Sequence, residues 1–125
     1  AFADAKIQIF PAKNAGSGND SCAAVLFQRG KCDTLITGDL SAAAERQLLT
    51  DYELPDLEVL IVGHHGSKYS TCPELLEATA PDVAVISVGA ENSYGHPTDE
   101  VLERLKQAGC AVYRTDLHGT ITYRG

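Results

Sequence analysis

Residues 57 to 62 read LEVLIV, an apolar run broken only by Glu58, and it stops at Gly63-His64-His65-Gly66-Ser67. A short run of this kind, rich in aliphatic and β-branched residues, is the mark of an internal strand of a layered α/β fold, buried on both faces. Gly63 ends the strand, so the two imidazoles leave the sheet at the C-terminal end of a strand, where α/β folds place their ligands. In an extended backbone His64 and His65 would point to opposite sides unless the glycines bend the chain. This stretch limits the chain to folds with a central, mostly buried sheet, and it gives that sheet a chemically equipped edge.

The remaining 125-residue chain supplies partners for that strand. Lys6 to Phe10 alternates like an edge strand, and Pro11 to Asp20 is a loop. Cys22 to Gln28 and Asp33 to Thr37 form a hairpin about Arg29-Gly30-Lys31, which delivers Gly38-Asp39 just before a helix. Ser41 caps that helix, Glu45 stands near its first turn, Leu48 and Leu49 give it an apolar face, and Pro55 forbids its continuation. Pro73 to Ala80 is a second helix and Val83 to Val88 a second buried strand, followed by a polar loop that ends in His96-Pro97. Thr98 caps a third helix, with Val101, Leu102 and Leu105 on one face and Gly109 at its end. Val112 to Thr115 and Gly119 to Tyr123 read as closing strands around Asp116-Leu117-His118, with His118 in an exposed turn.

The order β, ββα, βα, βα, ββ puts Asp39, His64 or His65, and His96 at the ends of three central elements. Turn residues of independent origin would not collect at one sheet edge, so the convergence points to a metal site. A carboxylate with imidazoles suits Zn, Mn or Fe, and such a set lowers the pKa of a bound water towards neutrality. A histidine beside the metals can hand a proton to a leaving oxygen. Ser67 and Lys68 read either as contacts for a substrate phosphate or as part of a solvated loop. No P-loop, dinucleotide fingerprint or nucleophile elbow is present.

Composition narrows the partners. A net charge of −7 argues against nucleic-acid binding through a broad basic surface, because phosphate neutralisation normally supplies much of that affinity. No apolar segment approaches the roughly 18 residues that span a bilayer. Cys22, Cys32, Cys72 and Cys110 make no C-x-x-C pair and read as reduced, buried thiols, with one or two disulfides in a secreted setting as the alternative.

Five blocks together resemble a known family: Asn19-Asp20-Ser21; Leu35-Ile36-Thr37-Gly38-Asp39; His64-His65-Gly66-Ser67; Ser87-Val88-Gly89 with Asn92 and Tyr94-Gly95-His96-Pro97; and Arg114-Thr115-Asp116 with Gly119. In order and spacing they are similar to the C-terminal metallo-β-lactamase-like domain of the ComEC competence proteins, membrane channels for DNA uptake. The resemblance implies an α/β fold, half of an αββα sandwich with a mixed sheet and about three helices, forming a single domain over residues 1–125. It implies Asp39 and His96 as ligands of a divalent metal, Mn or Zn with Mg as a further option, and His64 or His65 as a ligand or proton donor. Asn19, Asp20, Ser67, Lys68, Asn92, Tyr94, Thr115 and Asp116 fall beside that site.

Two departures bear on activity. Asn19-Asp20 stands where the wider superfamily has a histidine before the hairpin, which favours Mn or Mg over Zn. The superfamily's H-x-H-x-D-H signature is absent, and it belongs to the N-terminal half of the sandwich. The expectation is therefore a C-terminal half, incomplete for catalysis alone, from a nuclease or phosphodiesterase acting on DNA outside the cytoplasmic membrane. Its partners would be DNA, the other half of the domain and the parent's channel. The rival expectations are a non-catalytic interaction module and a hydrolase of small esters or phosphodiesters.

Overall fold

The computed structural model describes residues 5–10, 24–38, 40–87 and 97–115, and the side chains of His64 and His65 lie outside the description. The described elements run β1 (Ala5–Phe10), β2 (Ala24–Arg29), β3 (Cys32–Ile36), α1 (Ala42–Asp51), β4 (Val59–Ile61), α2 (Pro73–Thr79), β5 (Val83–Ile86), α3 (Asp99–Gln107) and β6 (Ala111–Arg114). They build one six-stranded sheet in sequence order, antiparallel from β1 to β3 and parallel from β3 to β6. This is the mixed sheet with three helices expected of half an αββα sandwich.

Local chemistry sets each helix. Ser41 caps α1, its Oγ accepting from the Ala44 N–H at 3.2 Å, and Thr98 caps α3 through the Val101 N–H at 3.4 Å. Pro73 opens α2 at a position where its missing N–H costs nothing. The hairpin turn is tighter than expected: Arg29 pairs with Cys32, leaving Gly30-Lys31, and Gly30 takes φ +58°. The first arm is described from Ala24, so Cys22 lies outside the described residues, as do Val88 and the closing strand expected at Gly119 to Tyr123.

The two faces of the sheet differ. On one, Leu26, Leu35, Leu60 and Ala84 line up across β2 to β5 and pack with Leu48 of α1, Leu75 and Leu76 of α2, and Val101 and Leu105 of α3 into a single core. All three helices therefore serve the same face. On the other, the ladder Ile9, Val25, Ile36, Ile61, Val85, Tyr113 crosses all six strands. Ile9 is 63% exposed, Ile36 40% and Tyr113 42%. Burial of β4 on both faces holds at Val59 and Leu60, which lie on opposite faces and are both buried, and gives way only at Ile61, which is half-buried. The strand is apolar on both sides, but helices cover only one.

Adjacent residues of β3 test this asymmetry. Leu35→Ala is expected to cost about 2–5 kcal/mol as a cavity in the core, and Ile36→Ala only about 1 kcal/mol. Urea unfolding of the two variants measures both, and equal losses would contradict the one-sided core.

Candidate functional site at the carboxyl edge of the parallel strands

Strands β3, β4 and β5 run parallel in direct register, Ile36 beside Ile61 and Ile61 beside Val85, so their C-terminal ends open on one edge. Strand β6 joins them, with Arg114 beside Ile86, which puts Thr115 at the same edge. From β3 the chain passes through Thr37 and Gly38 towards Asp39. From β4 it turns at once into a single 3₁₀ turn, Gly63–Gly66, which carries both histidines. The glycines do bend the chain, so the alternation of a strand does not govern His64 and His65.

Two close approaches lock this turn in place. A Cβ at Gly63 would lie 2.8 Å from Thr37 Oγ1 and 3.1 Å from the Gly38 carbonyl oxygen, so only glycine lets the β4 exit press against the β3 exit. Gly66, at φ +89°, would place a Cβ 2.5 Å from Pro97 Cβ, and its carbonyl accepts from the Thr98 N–H at 3.0 Å and the Thr98 hydroxyl at 3.3 Å. The backbone of His64-His65 is therefore held between the residues preceding Asp39 and those following His96.

Asp39, His96, Asn19, Asp20, Asn92, Tyr94, Asp116 and His118 lie outside the described residues. Among the described residues no three His, Cys, Asp or Glu side chains cluster. Ser67 is buried, and its Oγ accepts from the Tyr69 N–H at 3.2 Å, closing the turn after the histidines. Lys68 is exposed, with Nζ 5.3 Å from the centre of the Tyr69 ring. Thr37 is fully buried against Gly63, and its hydroxyl finds no hydrogen-bond partner among the described residues. A buried orphan hydroxyl costs about 1–3 kcal/mol; Thr71 Oγ1 is a second among the described residues, and Thr37 is the one that stands at the strand exits. The orphan lies two residues before Asp39, at the floor of the edge where an oxygen-and-imidazole ligand set is expected. That arrangement fits a divalent cation and its water.

The segment after the histidines is tied down by a group whose role the sequence reading missed. Glu45 is fully buried, and its carboxylate accepts from the Thr71 and Cys72 N–H groups, both at 2.8 Å, serving the N-terminus of α2 in place of a side-chain cap. Arg104 donates through Nη1 to the Lys68 and Ser70 carbonyls at 3.0 and 3.1 Å. The Ser70 hydroxyl donates to the Leu40 carbonyl at 2.7 Å, and the Ala42 N–H to the Tyr69 carbonyl at 2.8 Å. A signal for Glu45 was present: it lies three and four residues before Leu48 and Leu49, on the apolar side of α1, and one residue past the position that would close a capping box on Ser41. Burial raises the Glu45 carboxyl above the ordinary range, against the pull of the two N–H groups and of Arg104. Burial also pushes the Cys72 thiol up to about 11, which keeps it protonated and unreactive. Cys32, Cys72 and Cys110 are free thiols.

A mixed sheet whose parallel-strand exits gather at one edge, with a glycine-locked His-His turn at the centre, defines a layered α/β domain with a candidate site at its loop edge. No family model matches the chain. It is 38% identical over 113 residues to ComE operon protein 3 of Bacillus subtilis, 37% over 113 residues to competence protein ComA of Neisseria gonorrhoeae, and 40% over 103 residues to recombination protein 2 of Haemophilus influenzae. These matches cover 90%, 89% and 82% of the chain but only 15%, 16% and 13% of the relatives, so the chain spans a small part of their length. The chain belongs to the ComEC family of competence proteins. Among the described residues no helix is long and apolar enough to cross a membrane.

Two variants test the local chemistry. Thr37→Val removes the orphan hydroxyl at nearly constant shape and is expected to stabilise the chain by about 1 kcal/mol in chemical denaturation; a loss would show that the hydroxyl has a partner in the folded chain. For Glu45, a folded pKa raised above the unfolded value means that its contribution is fully present below the unfolded pKa and is lost as pH rises through the folded one. The stability of wild type relative to Glu45→Gln is therefore expected to be greatest in acid and to shrink as pH rises above about 4.5, read from paired melts across pH.

Proposed function

We propose that this domain is the C-terminal half of a metal-dependent phosphodiesterase that acts on DNA in a competence DNA-uptake protein. The observation that carries the reading is the gathering of the β3, β4, β5 and β6 exits at one edge, with Gly63 packed against Thr37-Gly38 and Gly66 against Pro97. Family membership supports the competence setting, and relatives named competence and recombination proteins agree with a nucleic-acid substrate.

In this reading Asp39 and His96 hold a divalent cation, Mn or Zn with Mg also accepted. When bound, the cation supplies Lewis acidity and an activated water for attack at phosphorus. The chain's own groups do the rest. His64 or His65, on a backbone fixed by its flanking glycines, gives a proton to the leaving oxygen. The Thr37 hydroxyl donates to an oxygen of the bound group and so gains the partner it lacks. Asn19, Asp20, Asn92, Tyr94, Thr115 and Asp116 line the substrate side, and Ser67 and Lys68 form the rim. The apolar ladder Ile9–Tyr113 is the inner face of the sandwich, covered by the sheet of the N-terminal half, and the whole domain lies on the outer side of the membrane beside the parent's channel.

The exposed ladder also favours a second reading, a non-catalytic module that docks through this face. Calorimetry separates the two. Manganese or zinc is expected to bind this chain weakly on its own and more tightly once it is joined to its N-terminal half, and in both settings the binding is lost in Asp39→Ala and His96→Ala. Binding that survives both substitutions, or is absent from the chain joined to its N-terminal half, would leave the docking module as the better account.

A further inference from the structure

We propose that Tyr69 and Lys68 form a nucleobase-stacking platform that receives a single-stranded nucleic acid at the rim of the histidine turn; this rests on the phosphodiesterase reading. Tyr69 is 69% exposed, more than any other large apolar side chain among the described residues. The other four, Ile7, Ile9, Ile36 and Tyr113, all stand on the open face of the sheet, so a covering layer accounts for them. Tyr69 does not belong to that face. It follows the histidine turn, four residues after His65.

The backbone beneath Tyr69 is fixed from several sides while the ring is left out. Its N–H donates to Ser67 Oγ and its carbonyl accepts from the Ala42 N–H. Arg104 grips the carbonyls before and after it, the Ser70 N–H donates to the Ser67 carbonyl, and Glu45 accepts from the Thr71 and Cys72 N–H groups. A ring presented on an ordered backbone loses little freedom on binding, which is how a stacking contact gains affinity. Lys68 Nζ sits over one face of the ring, 5.3 Å from its centre, so the cation rides on the aromatic that a base would meet from the other side, and a base and its phosphate find both partners in one place. The charge of −7 excludes a broad cationic track and leaves a focal contact of this type. Duplex bases already stack on one another and offer no free face, so the ligand is a single strand.

The test is fluorescence anisotropy of labelled single-stranded oligothymidylate with the 125-residue chain in EDTA, so that neither metal nor cleavage contributes. Tyr69→Ala is expected to weaken binding about tenfold, with the slope of affinity against salt unchanged. Tyr69→Phe should retain wild-type affinity. Lys68→Ala should reduce the salt slope by about 0.7. Matched melts establish that each variant is folded. Equal affinity of wild type and Tyr69→Ala, a Tyr69→Phe variant as weak as Tyr69→Ala, preference for duplex, or no oligonucleotide binding overturns the proposal. The metal-binding comparison of Asp39→Ala and His96→Ala judges the hydrolase reading separately.

Discussion

The order of the parallel strands governs the rest of the structure. From β3 to β6 each strand lies beside its predecessor, always further in the same direction. Crossovers between parallel strands share one hand, so a sheet that grows in one direction receives every crossover helix on one face. The helices α1, α2 and α3 accordingly meet the same ladder of Leu26, Leu35, Leu60 and Ala84. The same order brings four strand ends to one edge. A one-sided core and a one-edged site are thus two results of one topology, and changing the strand order would remove both.

Given that edge, two close packings and one buried carboxylate set its detail. Gly63 and Gly66 bring the histidine turn within contact of Thr37-Gly38 and Pro97, distances at which any side chain would collide with its neighbours. Glu45 supplies what the next segment lacks: Thr71 and Cys72 begin α2 with unsatisfied N–H groups, Cys72 gives no side-chain cap, and Thr71 sits at φ +56°. A buried carboxylate carries a desolvation cost, and two backbone donors with Arg104 nearby offset much of it. Were the donors removed, the charge would stand uncompensated in the core. The segment that leaves the histidine turn therefore takes its shape from α1 and α3, not from its own propensity.

Much of this was legible in the sequence because it rests on local signals. Ser41, Pro73 and Thr98 announce helix starts, Pro55 and Gly109 announce stops, and aliphatic runs announce the strands. The convergence of exits followed from alternating β and α elements. Other features depend on contacts between distant residues. Glu45 does stand in the first turn of its own helix, but the partners of its carboxylate lie 26 and 27 residues away. The apolar residues of the run at 57 to 62 are buried on both sides except at Ile61, because an apolar pattern records what a strand can bury, not what covers each position. Only the register shows that Ile61 belongs to a ladder that the three helices leave uncovered. Asp39 and His96 stand on sequence and resemblance alone, while the residues flanking them, Gly38 and Pro97, are placed by direct contact with the turn.

The two roles assigned to the histidine segment make opposite physical demands. Proton transfer needs imidazoles held to within a fraction of an ångström, and the glycine contacts and the Gly66–Thr98 hydrogen bonds tie that turn to the rigid sheet edge. Substrate capture instead needs side chains that reach solvent, and Lys68 and Tyr69 do so from the next turn of the chain. Anchoring both through one continuous backbone ties Tyr69 to the sheet edge that carries the histidine turn, so a ligand held there would be positioned relative to that turn. Under the proposed roles, substitution of the exposed pair changes what is held without disturbing the packed glycines, which would place recognition and chemistry under separate control on the same seven residues, 63 to 69.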